Sequence, residues 1–264
     1  MIDNKTIVLT GASSGIGLEV LKILAKGTGN RILAVSRHAE QRLFDFPSNV
    51  TAFNSDVGTK EGVDAVFAKA EELFGKIDIY YNNAGFPYYE VYDNEDWVRL
   101  QRIFDTNTLA PAYSYVKYLR HLNGRPGHLA YTVSAIGKMA MPGYALYSAS
   151  KFGLQGFQEG IRLEMPKNMK LTCLYPVATD TNFFKVAADG VSFEKPFPVQ
   201  NPVTVAKQMV RGIERGRKSV SPCFLLAVGR VLMTIFPFVR SIYWRLEQKK
   251  LERFVRKTRG TELF

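Results

Sequence analysis

The stretch "KTIVLTGASSGIGLEVLKIL" constrains this chain more than any other. Its first half is a β-branched apolar run ending on Gly11, which predicts a buried strand. Its second half places Ile16, Val20, Ile23 and Leu24 at helical spacing, with Lys26 and Gly27 as a stop signal. Between them Gly11, Gly15 and Gly17 let the backbone turn tightly and approach a ligand closely. A helix entered this way offers free N–H groups and its positive dipole end, which suits a pyrophosphate. A glycine turn alone would be ambiguous; its strand–turn–helix setting favours the binding reading.

The same alternation continues along the chain. "RILAVSR", "NVTAFNSDV", "KIDIYYNNAG", "HLAYTVSA" and "MKLTCLYP" read as strands. Helices are expected after Thr59 as N-cap, over about 95–121, over about 143–164 closed by Pro166, and from Pro202. Strand–helix alternation implies right-handed crossovers, hence an α/β, Rossmann-like, doubly wound parallel sheet with helices on both faces. The expected organisation is a catalytic unit over 1–221 and a basic amphipathic extension over 222–264.

Two further motifs fall at expected element ends. "NNAG", Asn82 to Gly85, closes the fourth strand. "YALYSASKFG" puts Tyr147 and Lys151 four residues apart, on one face of a helix. That pair alone is usually a solvated surface. A nearby ammonium, however, favours the phenolate of a tyrosine whose free pKa is near 10. Tyr147 would then protonate a carbonyl oxygen, or take the proton in the reverse direction. Ser134, ending the fifth strand 13 residues earlier, can reach the same substrate oxygen.

The G-x-x-x-G-x-G turn, NNAG and the Ser–Tyr–Lys order together resemble the short-chain dehydrogenase/reductase family, over about Lys5 to Lys218. The resemblance implies a cofactor site at Gly11, Ser13, Ser14, Gly15, Ile16 and Gly17, with Asp56 and Val57 at the adenine and Asn83, Ala84 and Gly85 along the adenosine side. It implies that Asn107 holds a water linking Lys151 to solvent, and that Lys151 also holds the nicotinamide ribose. Pro111 should leave the Asn107 carbonyl without its helical bond. "YPVATDTNFF" is similar to the family's segment beside the nicotinamide: Pro176 and Thr181 match, Thr179 stands where the carboxamide is bonded, and Val177 replaces a glycine. Where NAD enzymes place an acidic residue after the second strand, this chain has Ser36 and Arg37. A guanidinium pairs with a 2′-phosphate, so NADP(H) is favoured over NAD(H).

An apolar segment from Asn182 to Pro198 occupies the position of the substrate lid and suits a hydrophobic, even lipid-like, ketone. The leading expectation is an NADPH-dependent carbonyl reductase. Alcohol oxidation by the same residues and a catalytically silent cofactor-binding scaffold are the alternatives. The histidines and the two cysteines lack metal-ligand spacing, so no metal is expected.

Charge is uneven. Met1 to Ala206 carries 21 Lys+Arg against 20 Asp+Glu, whereas Lys207 to Phe264 carries 14 against 4. A neutral body with a basic apolar tail argues for peripheral contact with an anionic membrane rather than for nucleic acid. The tail is too interrupted to cross a bilayer. Packing of that tail on the body or a partner subunit is the competing reading. No secretory signal is seen, so a cytoplasmic location is expected, with peripheral attachment at a membrane's cytoplasmic face. The resemblance implies a homodimer or homotetramer.

Overall fold

A computed structural model describes residues 1–93 and 95–260. Strands β1 (Thr6–Thr10), β2 (Arg31–Ser36), β3 (Val50–Asn54), β4 (Ile79–Asn82), β5 (Gly127–Thr132) and β6 (Met169–Leu174) all pair in parallel. A pair β7 (Ala178–Thr179) and β8 (Val199–Gln200) forms a small separate ribbon. Strand β9 (Ser219–Val220) closes the main sheet, in the order β3-β2-β1-β4-β5-β6-β9. Residues 219–220 did not read as a strand, being a two-residue edge with no periodicity to detect. The order in which strands are added to the sheet reverses between β1 and β4, and that switch point is where open parallel sheets bind ligands.

Both faces of the sheet are covered. Val8 of β1 packs into one cluster with Val66, Phe67 and Leu154, from helices α3 (Lys60–Phe74) and α6 (Ala145–Glu164). Its neighbours Ile7 and Leu9 face the other way, into a cluster with Val20, Leu21 and Met209 of α1 (Gly15–Leu24) and α8 (Pro202–Glu214). Successive strand residues thus serve opposite layers, which is why the run reads as continuously apolar. The N-cap of α3 is Thr59, whose hydroxyl accepts from the Gly62 N–H. A short α2 (Ala39–Arg42) follows β2.

The long helix expected over 95–121 is broken. It comprises α4 (Trp97–Phe104), a π-turn over Asp105–Leu109, and α5 (Ala110–Leu122). The Ala110 N–H reaches back five residues to the Asp105 carbonyl. Pro111 supplies the reason: it has no N–H and its ring crowds the carbonyl four residues earlier, so the turn widens.

The loop over 177–201 contains α7 (Phe183–Ala187) and β7 and β8. The tail folds as α9 (Phe224–Ile235) and α10 (Pro237–Arg259). Leu251 and Val255 of α10 are buried in a third apolar cluster with Tyr89, Tyr144 and Tyr147. The second helix of the expected extension therefore packs on the body. No described helix is long and apolar enough to cross a membrane.

Candidate active site

A cleft of about 1340 Å3 opens at the carboxyl ends of the strands. That exceeds the ~300–1,000 Å3 of ordinary small-ligand pockets, leaving room for a dinucleotide and a substrate side by side. Its cofactor half is shaped by absent side chains. Gly11 lies at φ +65°, and a Cβ there would sit 2.8 Å from the Ala84 Cα. A Cβ on Gly17 would meet the Gly11 carbonyl oxygen at 2.1 Å. Gly17 is buried and is not on the cleft wall; it acts by letting helix and turn close on each other. Ser13, Ser14, Gly15 and Ile16 do line the cleft. Ser14 caps α1 in an extended conformation with no side-chain hydrogen bond, so the first-turn donors have no side-chain acceptor there.

Asn83 stitches this turn to the catalytic side. Its Nδ2 donates to the carbonyls of Thr10 and Gly11, each at 3.2 Å, and its Oδ1 accepts from the Thr132 hydroxyl at 3.0 Å. Ala84 and Gly85 line the cleft, and Pro176, Val177, Thr179 and Thr181 form its opposite wall. Val177 is not among the residues with positive φ, so a β-branched side chain fits the local backbone here.

At the end of β2, Ser36 and Arg37 line the cleft, and Arg42 of α2 joins them. The Ser36 hydroxyl is buried and has no hydrogen-bond partner among the described residues. Such an orphaned polar group calls for a ligand acceptor or donor. Arg42 escaped sequence reading because a four-residue helix has no detectable period; only the fold brings it beside Arg37. Asp56 and Val57 line the same end, with the Asp56 carboxylate accepting from the Gly58 N–H at 2.9 Å. These residues fit a dinucleotide: an anion-ready helix end, a glycine cradle and an unpartnered hydroxyl.

The candidate catalytic residues are brought together. Tyr147 is 7% exposed and lines the cleft with Ser134. Burial pushes its phenol well above the ordinary value of 10, and the neighbouring Ser134 hydroxyl pulls the other way. Lys151 lies behind, with Nζ 5.9 Å from the Tyr147 ring centre and donating to the Thr132 carbonyl at 3.0 Å. Burial lowers Lys151 from 10.5 to about 7. The simple expectation that the ammonium lowers the tyrosine is thus modified in the protein alone, where desolvation drives both groups toward neutrality. Asn107 is fully buried beside them. Its Oδ1 accepts from the Phe86 N–H at 3.0 Å, and its Nδ2 donates to the Phe86 carbonyl at 2.9 Å and to the Ser150 hydroxyl at 3.0 Å. Neither Asn107 nor Lys151 touches the cleft wall itself. Gly85 explains how they come so close: a Cβ there would lie 2.9 Å from Asn107 Oδ1 and 3.3 Å from Lys151 Nζ.

Ser134 has φ 109° and ψ 150°. That region is essentially reserved for glycine and costs about 1–3 kcal/mol. The Ser134 and Ala135 N–H groups donate to the Leu174 and Pro176 carbonyls, holding the strained corner in place.

The half expected to take substrate is lined by Phe86, Met141, Tyr144, Phe183 and Phe184, with an aromatic cluster packed against it. Phe183 packs edge-on against Tyr147 at 5.6 Å, and Phe193 stacks on Tyr89 at 4.1 Å. Phe254 of α10 leans on both Tyr89 and Phe193. Polar ties add to this brace: Arg253 grips Glu194 through two bonds, and the Tyr243 hydroxyl donates to the Phe197 carbonyl. The tail helix thus braces the segment expected to act as lid, which agrees with the reading that the tail packs on the body.

The family model for short chain dehydrogenase matches residues 5–191. An oxidoreductase of Bacillus subtilis, YxnA, is 30% identical over 193 residues, covering 69% of this chain and 54% of that protein, so this chain spans about half of that relative. A 3-ketodihydrosphingosine reductase of Dictyostelium discoideum is 28% identical over 270 residues, covering 90% of this chain and 81% of that protein. A solved short chain dehydrogenase from Burkholderia cenocepacia in complex with NADP superposes with a TM-score of 0.77 at 20% identity, covering 92% of this chain and 98% of that one. The 3-ketoacyl-(acyl-carrier-protein) reductase of Brucella melitensis complexed with NADH gives 0.74 at 22%, covering 84% and 97%. At those identities the structural likeness concerns the fold, and it agrees with the sequence match. The glycine turn, the parallel sheet with its switch point and the matched residues lead to one conclusion: this chain belongs to the short-chain dehydrogenase family of oxidoreductases.

Proposed function

We propose that the protein is an NADP(H)-dependent carbonyl reductase and alcohol dehydrogenase acting on a hydrophobic ketone. The observation that carries this reading is Tyr147, a buried phenol on the wall of a largely apolar cleft, backed by Lys151 and flanked by Ser134. Bound in the glycine-rich half, the nicotinamide cofactor would supply or accept hydride. Tyr147 donates the proton to the carbonyl oxygen, held in its neutral acid form by burial. Ser134 donates a hydrogen bond to the same oxygen. Lys151, close to neutrality in its buried site, would return the proton to Tyr147 and be recharged from solvent by way of a water held at the Asn107 carbonyl, to which Pro111 has no N–H to offer. Arg37 and Arg42, with the orphaned Ser36 hydroxyl, would pair with a 2′-phosphate. The aromatic wall and the long-chain ketone in the name of the Dictyostelium relative both favour an extended apolar substrate.

The test is turnover of long-chain ketones with NADPH by the wild type and Tyr147→Phe. Loss of about 10²–10⁴-fold in kcat with unchanged NADPH affinity is expected; undiminished turnover in the variant would defeat the mechanism. NADPH should bind more tightly than NADH in a fluorescence titration. Arg37→Ala with Arg42→Ala should remove about 10–100-fold of that preference. Tighter NADH binding by the wild type would overturn the cofactor assignment.

A further inference from the structure

Helix α9 is apolar around most of its described circumference. Leu225, Gly229 and Met233, at i, i+4 and i+8, line the mouth of the cleft. Phe224, Val228, Val231 and Ile235 form a second stripe, about 130° around the helix from the first by the 3.6-residue period. That second stripe points to water: Phe224 is 79% exposed and Ile235 61%. It runs on through Phe236 and Phe238 and along α10 through Ile242 and Leu246, all exposed. A helix that is apolar on its outer as well as its inner side belongs in a core or against lipid, not in water. Soluble monomers rarely leave so long an apolar surface bare.

The charges beside this surface point to its occupant. Further along α10, Arg253 and Arg259 are bound to Glu194 and Asp93 of the body. Next to the apolar stripe the pattern changes. Arg245 and Lys249 are exposed and make no ion pair among the described residues. Arg240 and Trp244, which stack at 4.8 Å, lie on the other side of α10, where the Trp244 indole N–H donates to the Ala140 carbonyl of the body. Unpaired cations bordering an apolar face match an anionic lipid–water interface. At 12 residues α9 is about 18 Å long, suited to lying in that interface rather than crossing it.

We propose that α9 and the first half of α10 seat the protein on an anionic bilayer, with the cleft mouth turned to the acyl chains, so that substrate passes from lipid to Tyr147 without crossing water. This rests on the reading of the cleft as a site for an apolar carbonyl compound. Leu225 and Met233 join Phe197 and Tyr243 at the cleft, so the membrane-facing helix and the substrate path share one element.

The test is co-sedimentation of the full chain with phosphatidylcholine vesicles, with and without phosphatidylserine, alongside sedimentation velocity without lipid. Wild type should pellet with the mixed vesicles and more weakly with the neutral ones. Phe224→Ser/Val231→Ser/Ile235→Ser, which alters only the outward stripe, should lose at least about tenfold in vesicle affinity. Its NADPH affinity and circular dichroism should match the wild type. Arg245→Ala/Lys249→Ala should lose about fivefold per residue on the anionic vesicles alone. Wild type that pellets with neither vesicle overturns the proposal, as does a triple variant that binds like wild type. A dimer abolished by the triple variant, with no vesicle binding, would assign the face to a second copy instead. The readout is independent of turnover: vesicle binding without ketone reduction would refute the substrate reading alone, and reduction without vesicle binding would refute the membrane seat alone.

Discussion

The two halves of the cleft are built by opposite means. The cofactor half is made of backbone, glycines and short polar side chains drawn from the ends of β1, β2, β4 and β5, and its contacts are set within tenths of an ångström. The other half is lined by apolar side chains from segments far apart in sequence, Phe86, Met141, Tyr144 and Phe183 among them, with the rings of Tyr89, Phe193 and Phe254 packed against that wall. The first is shaped for close approach of a ligand to the backbone. The other encloses apolar volume, which many combinations of side chains can do. Ser134, Tyr147 and Lys151 stand at the seam.

That contrast can be broken or sharpened by substitution. The largest effect on binding is expected at Gly17→Ala, where the new Cβ meets a backbone oxygen at 2.1 Å and the turn must shift. NADPH affinity should fall about 10–100-fold in a fluorescence titration, the equivalent of 1–3 kcal/mol of overpacking. Near-normal affinity would show the cofactor half to be as pliant as the other. Phe254→Ala should act on the opposite half. Its ring contacts with Tyr89 and Phe193 brace the lid, so KM for an apolar ketone should rise roughly two- to tenfold while NADPH affinity stays unchanged. A loss of cofactor binding instead would show that the halves are coupled.

At the seam the expected effect is on stability rather than on binding. Lys151 is lowered from 10.5 to about 7 by burial, so between those pH values the unfolded chain holds a proton that the folded one has released. Stability therefore rises with pH across that window, by up to ~1.4 kcal/mol per unit. Lys151→Met removes this dependence. The variant should be more heat-stable than wild type near pH 7, and the difference should shrink toward pH 10. A gap in Tm that is constant with pH would show that Lys151 stays charged in the fold. Ser134→Gly sharpens the same point: relief of the φ 109° strain should raise stability by about 1–3 kcal/mol while turnover falls.

The glycine turn and the helix that carries Tyr147 were legible because their demands are local. Gly11, Gly15 and Gly17 fall within one turn, NNAG ends a strand, and the Tyr147–Lys151 spacing reports a shared helix face. The parallel strands were legible because continuous apolar runs mark burial on both sides. Arg42, the π-turn before Pro111 and strand β9 were not, since each is too short to carry a period. The lid brace was also hidden. Phe254 and Arg253 meet their partners across about sixty residues or more of sequence, and a basic amphipathic helix looks alike whether it rests on protein or lipid.

By itself, then, the chain specified its parallel sheet, its phosphate turn and the order of its candidate acid–base residues, because hydrogen-bonding geometry and side-chain period operate over a few residues. Only the tertiary structure decided what α10 does. Its later turns bury Leu251 and Val255 against the aromatic wall, while its first turns, with α9, leave Phe238 and Ile242 exposed. Burial is a property of what lies opposite a face, and that is set by the long-range packing of the whole fold.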